Sequence, residues 1–257
     1  MNRNQNEKEN TNMTAKEDWF AFELNRFTFE GREAIIVEPK QADEGKNWAI
    51  YTEYFGAFPD TAIALLKKGF HLTYLQNQNR WGLDIDQEAR HHFRDHLVEN
   101  YGLSSKCVPI GMSCGGLHAI NYASLFPDDI AVLYLDAAVL NLLSCPMGFG
   151  SSMRDEEVVE ECLKAIDMTP SELICYRNHP LDRLPVLAEH KIPVIMLYGE
   201  EDDVVPYPEN GIFLEKLYRK KQLPLQEIRK PGCGHHPHGL TDPAPIVNFI
   251  LKHIAGE

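Results

Sequence analysis

The sequence predicts a single α/β domain, with a mostly parallel central sheet flanked by helices and a small helical insertion. Apolar strand-like segments alternate with helix-like segments along most of the chain, which is typical of parallel sheets covered on both faces. One apolar segment leads through Gly111-Met-Ser113-Cys-Gly115 directly into a helix-like run. With 257 residues and 44% hydrophobic content, the chain is long enough to bury the core of one large domain.

Patterns of apolar and polar residues, together with glycines at the ends of elements, divide the first 135 residues into strands and helices. Glu30-Gly31-Arg32 is a turn between the first two strands, and Gly69 and Gly102 end the first two helices. Strands are expected at 20–29, 34–37, 48–54, 70–75, 107–110 and 130–135, and helices at 62–68, 86–100 and 117–125.

The second half of the chain adds strands at 192–198 and 225–229, with helices at 210–221 and 245–254. No strand pattern occurs from Leu142 to His190, where two helices are expected instead. One spans 155–166, and the other begins at the capping box Thr169-Pro170-Ser171-Glu172. We expect this insertion, at about 142–190, to form a lid over the site, the alternative being a helix pair that only packs.

Residues 1–17 are rich in Asn, Glu and Lys and are expected to form a disordered tail ahead of a domain at 18–257. The tail lacks an apolar core segment, so it is not predicted to be a secretory signal, although a processed mature chain would look the same. No apolar run is long enough to span a membrane. The formal net charge of −13 disfavours nucleic acid and anionic membrane surfaces as partners.

Six scattered cysteines without a CxxC pair are expected to be reduced thiols, which indicates a cytoplasmic protein. Nothing in the pattern predicts the oligomeric state.

Ser113 is the predicted nucleophile, because it lies at a strand-to-helix turn with a glycine two residues away on each side. A β-carbon at Gly111 or Gly115 would collide with the neighbouring strand or helix. The alternative is a glycine-rich turn with an uninvolved serine. A serine hydroxyl is a weak nucleophile, so the prediction requires a base and an orienting acid elsewhere in the chain.

Asp202 is the favoured acid, because it follows Gly199 at the carboxyl end of a predicted strand, the edge where open α/β sheets bind ligands. The same loop offers three competing carboxylates, Glu200, Glu201 and Asp203. A further alternative is Asp136, which follows the strand at 130–135.

His235 is the favoured base, because it follows the loop glycine Gly234 directly. His236 and His238 are the alternatives, otherwise expected to support the base or to face the lid. Three histidines in four residues, together with Cys233, also suggest a metal site. Adjacent histidines in one loop rarely converge on one ion, however, and no matching ligand pair occurs elsewhere, so neither a metal nor a cofactor is expected.

Two backbone donors are needed to stabilise an oxyanion on the substrate. One is expected to be the N–H of Cys114, the residue after the nucleophile. The other is expected from Tyr54 or Phe55, in the loop after the third strand, unless that loop is merely a turn with core aromatics. Two further residues are candidates for substrate contact: Trp81 as a wall of the cleft and Arg154 as a binder of an anionic group.

These segments resemble the α/β-hydrolase superfamily, over residues 19–254. The resemblance rests on Gly111-Met-Ser113-Cys-Gly115, Gly199-Glu-Glu-Asp202-Asp-Val-Val-Pro206 and Gly232-Cys-Gly234-His235. It implies Ser113 as the nucleophile, Asp202 as the acid and His235 as the base. Through Phe55-Gly-Ala-Phe58 and His235-His-Pro-His238-Gly-Leu240 the chain also looks like the catalytic domains of prolyl oligopeptidases and like acetyl xylan esterases. Thr52-Glu53-Tyr54 stands where many members carry a His-Gly pair.

The resulting expectation is a serine hydrolase that cleaves small carboxylic esters with short acyl groups, an acetylated carbohydrate being one candidate, through an acyl-enzyme on Ser113. A serine peptidase or amidase of the prolyl oligopeptidase type would use the same three residues. A non-catalytic ligand-binding protein on the same fold is a third hypothesis, because a fold does not fix a function.

Overall fold

Nine β-strands form one central sheet in the computed structural model, which describes residues 16–256. In chain order the strands are β1 (Glu17–Trp19), β2 (Phe22–Phe29), β3 (Arg32–Glu38), β4 (Trp48–Tyr51), β5 (His71–Leu75), β6 (Val108–Met112), β7 (Leu133–Asp136), β8 (Val194–Gly199) and β9 (Leu225–Lys230). Their order across the sheet is β1-β2-β3-β5-β4-β6-β7-β8-β9. The three pairings from β1 to β5 are antiparallel and the rest are parallel, so the predicted mostly parallel sheet is confirmed.

Helices cover both faces of this sheet. Within the described residues they are α1 (Asp60–Lys67), α2 (Asp84–Tyr101), α3 (Cys114–Leu125), α4 (Glu156–Ala165), α5 (Pro170–Cys175), α6 (Pro180–Glu189), α7 (Gly211–Lys221) and α8 (Ala244–Ile254). One sheet face is buried by α2, α3, α6 and α7, and the other by α1 and α8. The central strands are therefore buried on both sides, which is why they read as continuous apolar runs.

The insertion between β7 and β8 has two parts with different roles. In α4 and α5, Val159, Cys162 and Leu173 pack in a separate apolar cluster that also holds Cys114, the residue after Ser113. The third helix, α6, was not predicted from the sequence, and it buries Leu184 and Leu187 in the main core beneath the sheet. Only α4 and α5 therefore lie where a lid was expected.

One strand ends earlier in the structure than the sequence predicts. β4 ends at Tyr51 rather than Tyr54, because Tyr54 has a φ of 55°, which a strand does not accommodate. The carbonyl of Thr52 instead accepts hydrogen bonds from Asn77 and Arg90. At the amino end, Glu17 already belongs to β1, and the rest of the predicted tail up to residue 15 lies outside the described residues.

All six cysteines are free thiols, as expected from their spacing. Among residues 16–256, no helix combines the length and the apolar composition needed to cross a bilayer.

Candidate active site

Ser113 lies in the turn between β6 and α3, in a backbone conformation that few non-glycine residues adopt. Its φ is 51° and its ψ is −121°. The turn is held on both sides: the N–H of Ser113 donates to the carbonyl of Asp136 at 3.0 Å, and its own carbonyl accepts from Gly116 at 2.9 Å and Val139 at 3.0 Å. Strain of this kind costs about 1–3 kcal/mol and persists only where the surroundings fix it. The turn therefore holds Ser113 at the carboxyl edge of the sheet.

Glycines next to Ser113 let the strand and the helix approach each other closely. A β-carbon on Gly111 would lie 2.8 Å from Cβ of Ala119, and one on Gly116 would lie 2.2 Å from Cβ of Ala138. At Gly115 the nearest atoms would be 3.3 Å away, a tight but less severe contact. Of the two glycines that the motif predicts, Gly111 thus has the stronger requirement, and Gly116, which the motif does not mark, has the closest approach of all three.

His235 connects Ser113 to Asp202 through two hydrogen bonds. The distance from Nε2 of His235 to Oγ of Ser113 is 3.0 Å, and that from Nδ1 of His235 to Oδ2 of Asp202 is 2.9 Å. Both partners of the second bond are shielded from solvent, with side chains 9% and 1% exposed. The structure thus brings together the three residues that the sequence selected, from three separate loops.

The carboxylate of Asp202 is held by more than the histidine. Its Oδ1 accepts hydrogen bonds from the N–H groups of Val204 at 3.0 Å and Val205 at 2.8 Å. Burial alone would raise the pKa of this carboxyl, but the hydrogen bonds from His235 and from the two amides outweigh that effect and lower it. Asp202 is therefore ionised at neutral pH and accepts a hydrogen bond from the Nδ1–H of His235.

The competing carboxylates in this loop are exposed at the surface. Glu200 pairs with Arg229 at the surface, and Glu201 and Asp203 are exposed. The backbone carbonyl of Asp203 accepts a hydrogen bond from Met153 and so ties the loop to the start of the insertion.

At Gly199, the loop that carries Asp202 packs closely against the loop that carries His235. We therefore expect Gly199→Ala to disrupt catalysis. The new β-carbon would lie 2.1 Å from the carbonyl oxygen of Gly234 and 2.5 Å from that of Cys233, both backbone atoms. The loop must shift, and a displacement of about 1 Å at a catalytic group typically costs about 10²-fold in rate. Comparing kcat with that of Gly234→Ala tests this, since a β-carbon on Gly234 has only Glu201 O at 3.7 Å as a neighbour. Equal rates in the two variants would contradict it.

Asp136, the alternative acid, belongs to a different cluster. This fully buried carboxylate accepts from Nζ of Lys230 at 3.2 Å, Nδ1 of His238 at 3.2 Å and the N–H of Gly239 at 2.5 Å. Lys230 in turn donates to the carbonyl of Pro237 at 2.8 Å. Asp136 therefore supports the loop that carries the histidines. Among the described residues, no hydrogen bond joins Asp136 to His235.

Cys114 and Tyr54, two of the predicted oxyanion donors, both line the cavity that contains Ser113. Cys114 is the first residue of α3, so its amide has no acceptor within the helix. Tyr54 lines the adjacent cavity, and its hydroxyl contacts the thiol of Cys114. Burial raises the pKa of that thiol, so Cys114 is not a thiolate that competes with the serine as a nucleophile. The Tyr54 amide faces the carboxylate of Glu53.

Phe55, the other predicted donor, is part of the apolar core. Its ring packs against those of Trp19, Tyr51 and Tyr74, with centroid separations of 5.6, 5.8 and 5.7 Å. It is not among the described residues that line the cavity next to Ser113. The side chain of Phe55 therefore anchors the loop that presents Tyr54, and the backbone donor expected at Phe55 stays a prediction.

A cavity of about 430 Å³ opens beside Ser113 and His235. Its walls are mainly apolar and aromatic, and they consist of Tyr54, Ala57, Phe58, Arg80, Trp81, Met112, Ser113, Cys114, Cys145, Val158, Val204, His235, His236 and His238. Trp81 is among them, as the sequence suggested, whereas Arg154 is not. Arg154 lies at the surface, where it pairs with Glu156 and donates to the carbonyl of Met147. The structure thus contradicts the proposed substrate contact for Arg154.

Glu161 connects α4 to the wall of the cavity, a contact that the sequence did not reveal. It binds the guanidinium of Arg80 with both carboxylate oxygens, and it accepts from Nε1 of Trp81 at 3.1 Å. Arg80 and Glu161 are distant in sequence, so no local pattern marks them as partners. Apart from the histidines, Arg80 is the only cationic group among the described residues that line the cavity, and Glu161 neutralises its charge.

The histidine loop brings its three imidazoles together. One nitrogen from each of His235, His236 and His238 lies within 4.8 Å of one from each of the others. His236 also stacks on Phe58, with a centroid separation of 5.7 Å and an interplanar angle of 14°. Burial, followed by the neighbouring imidazoles, lowers the pKa of His236. The expectation that adjacent histidines would not converge is therefore wrong for this loop, although Cys233 is not in the group.

Comparisons with known proteins give distant relatives. No family model matches the chain. Lipase 1 of Psychrobacter immobilis is 23% identical over 224 residues, which are 71% of this chain and 69% of the lipase. Acetyl xylan esterase from Paenibacillus sp. R4 is 14% identical with a TM-score of 0.66, over 95% of this chain and 88% of the esterase.

A puromycin-hydrolysing peptidase of Mycobacterium tuberculosis is also similar, with 14% identity and a TM-score of 0.64 over 87% of this chain. The match covers 36% of that peptidase, so this chain spans only about a third of its length. At such identities the similarity bears on the fold and not on the activity. Together with the sheet order and the strand–serine–helix turn, it shows that the protein has the α/β-hydrolase fold.

Proposed function

We propose that the protein is a serine hydrolase that cleaves small carboxylic esters through an acyl-enzyme on Ser113. The observation that carries this proposal is the hydrogen-bonded chain from Oγ of Ser113 through His235 to Asp202, at 3.0 and 2.9 Å. A nucleophile, a base and an orienting acid within hydrogen-bond reach are what acyl transfer requires.

In the first half of the reaction, His235 removes the proton of Ser113 as Oγ bonds to the ester carbonyl carbon. Asp202 keeps the Nδ1 proton on His235, so that Nε2 is free to accept, and stabilises the imidazolium that forms. The tetrahedral intermediate collapses as the C–O bond to the alcohol breaks, and His235 donates its proton to the departing alcohol. Water then repeats these steps on the acyl-enzyme and releases the acid.

The oxyanion of the intermediate is stabilised by hydrogen-bond donors that are already oriented toward its position before the reaction begins. The amide of Cys114 is one, because it leads α3 and has no intrahelical acceptor. For the second we favour the hydroxyl of Tyr54, since its present partner is the Cys114 thiol, a weak acceptor, whereas the Tyr54 amide already faces Glu53. Each such donor typically contributes about 10²–10³-fold in kcat.

The walls of the cavity favour a small, uncharged ester. Among the described residues that form it there is no carboxylate to hold the ammonium group of an amino-terminal peptide substrate, and Arg80 is already neutralised by Glu161. The volume of about 430 Å³ suits a short acyl group and a compact alcohol, such as an acetylated sugar. A peptidase or amidase remains the second candidate, because it would use the same three residues.

A fluorophosphonate probe tests the proposal most directly. We expect one covalent adduct per chain, mapped by peptide mass spectrometry to Ser113, and none on Ser113→Ala. Ser124→Ala is the matched control, since Ser124 lies on the same helix with its hydroxyl bonded to the carbonyl of Asn121, and it should label like the wild type. Folded wild-type protein that takes up no probe would contradict the proposal.

The substrate class is tested separately with p-nitrophenyl esters of increasing acyl length beside aminoacyl amides. We expect kcat/KM to be highest for acetyl and propionyl esters and to fall for acyl chains too long for the cavity. Faster cleavage of the amides would replace the esterase proposal with the peptidase alternative, while leaving the role of Ser113 intact.

A further inference from the structure

The imidazoles of His235, His236 and His238 are arranged in a way that the proposed reaction does not require. Their rings are 4.9–5.0 Å apart between centroids, nearly perpendicular in two of the three pairs, and one nitrogen from each lies within 4.8 Å of the others. Ester hydrolysis needs one base, and His235 supplies it. The other two rings therefore call for a separate explanation.

Two of these imidazoles are backed by buried carboxylates. Nδ1 of His235 lies 2.9 Å from Asp202, and Nδ1 of His238 lies 3.2 Å from Asp136. Metal-binding histidines in proteins typically donate one ring N–H to a carboxylate, which fixes the tautomer and makes the other nitrogen a better ligand. In both residues the nitrogen left for a ligand is Nε2.

The third imidazole is the most accessible of the three. His236 is exposed and stacks on Phe58, and all three histidines line the cavity next to Ser113. An ion entering from the cavity would thus reach His236 without a rearrangement of the buried pair. Lys230 offsets the charge of Asp136, but the carboxylate of Asp202 has no lysine or arginine partner among the described ion pairs.

We infer that this loop is a binding site for Zn²⁺ or a similar borderline transition-metal ion, and that its occupation switches the enzyme off. Three imidazole nitrogens at about 2.0–2.1 Å would leave a fourth, tetrahedral position for water. From separations of at most 4.8 Å, the ligand nitrogens must approach each other by up to roughly 1.5 Å to reach tetrahedral spacing, which rotation of the exposed His236 side chain supplies in part.

Inhibition follows from the ligand atom on His235. Its Nε2 lone pair now faces Oγ of Ser113 at 3.0 Å. Once that lone pair binds a metal ion it no longer accepts the serine proton, so acylation stops until the ion leaves. This consequence rests on the proposed function, whereas the binding of the ion does not.

Metal binding is tested first without reference to activity. Zn²⁺ is titrated against a chromophoric chelator in competition with the purified Ser113→Ala protein, which should bind one ion at least as tightly as the wild type. His236→Ala and His238→Ala should each weaken binding by at least about tenfold. His92→Ala removes an exposed imidazole that pairs with Glu30 on another face, and should bind Zn²⁺ like its parent.

Inhibition is then measured as the rate of each variant with Zn²⁺ relative to its own rate without it. We expect the wild type and His92→Ala to be inhibited and to recover with EDTA, and His236→Ala to need at least about ten times more Zn²⁺ for the same fractional loss.

Three results would overturn the inference: no binding at millimolar Zn²⁺, equal binding by His236→Ala and its parent, or activity that EDTA abolishes and Zn²⁺ restores. Binding that depends on His236 in a protein without esterase activity would support the metal site while contradicting the proposed function.

Discussion

Ser113→Ala should lower kcat for the best ester substrate by about 10⁴- to 10⁶-fold, because none of the described groups near His235 replaces the hydroxyl as a nucleophile. Cys114, the adjacent candidate, keeps its proton since burial raises the pKa of its thiol. The residual rate would come from the oxyanion donors and from substrate binding. The measurement is steady-state hydrolysis of a p-nitrophenyl ester, with Ser124→Ala as the control that should keep the wild-type rate.

The stability of this variant separates a catalytic from a structural role for Ser113. Alanine retains the strained backbone, with its φ of 51°, so the free energy of unfolding should change by less than about 1 kcal/mol. Ser113→Gly relieves that strain and should be at least as stable as Ser113→Ala, the reverse of the usual order at ordinary positions. Near wild-type turnover in either variant would remove Ser113 from the mechanism.

The fold was predictable from local patterns because its central strands are buried on both faces. Apolar runs such as β6 and β8, each followed by a helix, leave few arrangements other than a parallel sheet. The position of Ser113 was predictable for a related reason. A sharp strand-to-helix turn requires small residues at fixed offsets, and Gly111 and Gly115 display that requirement in the sequence itself.

The buried contacts that hold the histidine loop in place were not predictable, because they join residues that are distant in sequence. Asp136 is 94 residues from Lys230 and 102 from His238, and nothing local to any of them marks the cluster. Asp136 and Asp202 look alike in sequence, since one ends a buried strand and the other comes three residues after the end of one, at the same sheet edge. Only the placement of His235 beside Asp202 separates their roles.

Asp202→Asn should lower kcat by about 10⁴-fold with a modest loss of stability. The amide oxygen of asparagine can still accept the hydrogen bonds from Val204 and Val205. Its NH₂ group then faces Nδ1 of His235, which must become an acceptor, so Nε2 carries the proton and His235 no longer functions as a base. The measurement is kcat beside thermal unfolding of the same preparation.

Asp136→Asn should show the opposite pattern. Its carboxylate is the counter-charge of the Lys230 ammonium, which is 8% exposed, so removing it leaves a buried charge uncompensated. Such a loss costs about 3–5 kcal/mol, or on the order of 10 °C in Tm, while the rate per folded molecule should fall far less than in Asp202→Asn.

Where the single variant does not fold, Asp136→Asn with Lys230→Met is the second measurement. It removes both charges, so it should recover much of the stability and keep measurable turnover. A large rate loss at Asp136 with little change at Asp202 would instead make Asp136 the acid, despite the 2.9 Å contact between His235 and Asp202.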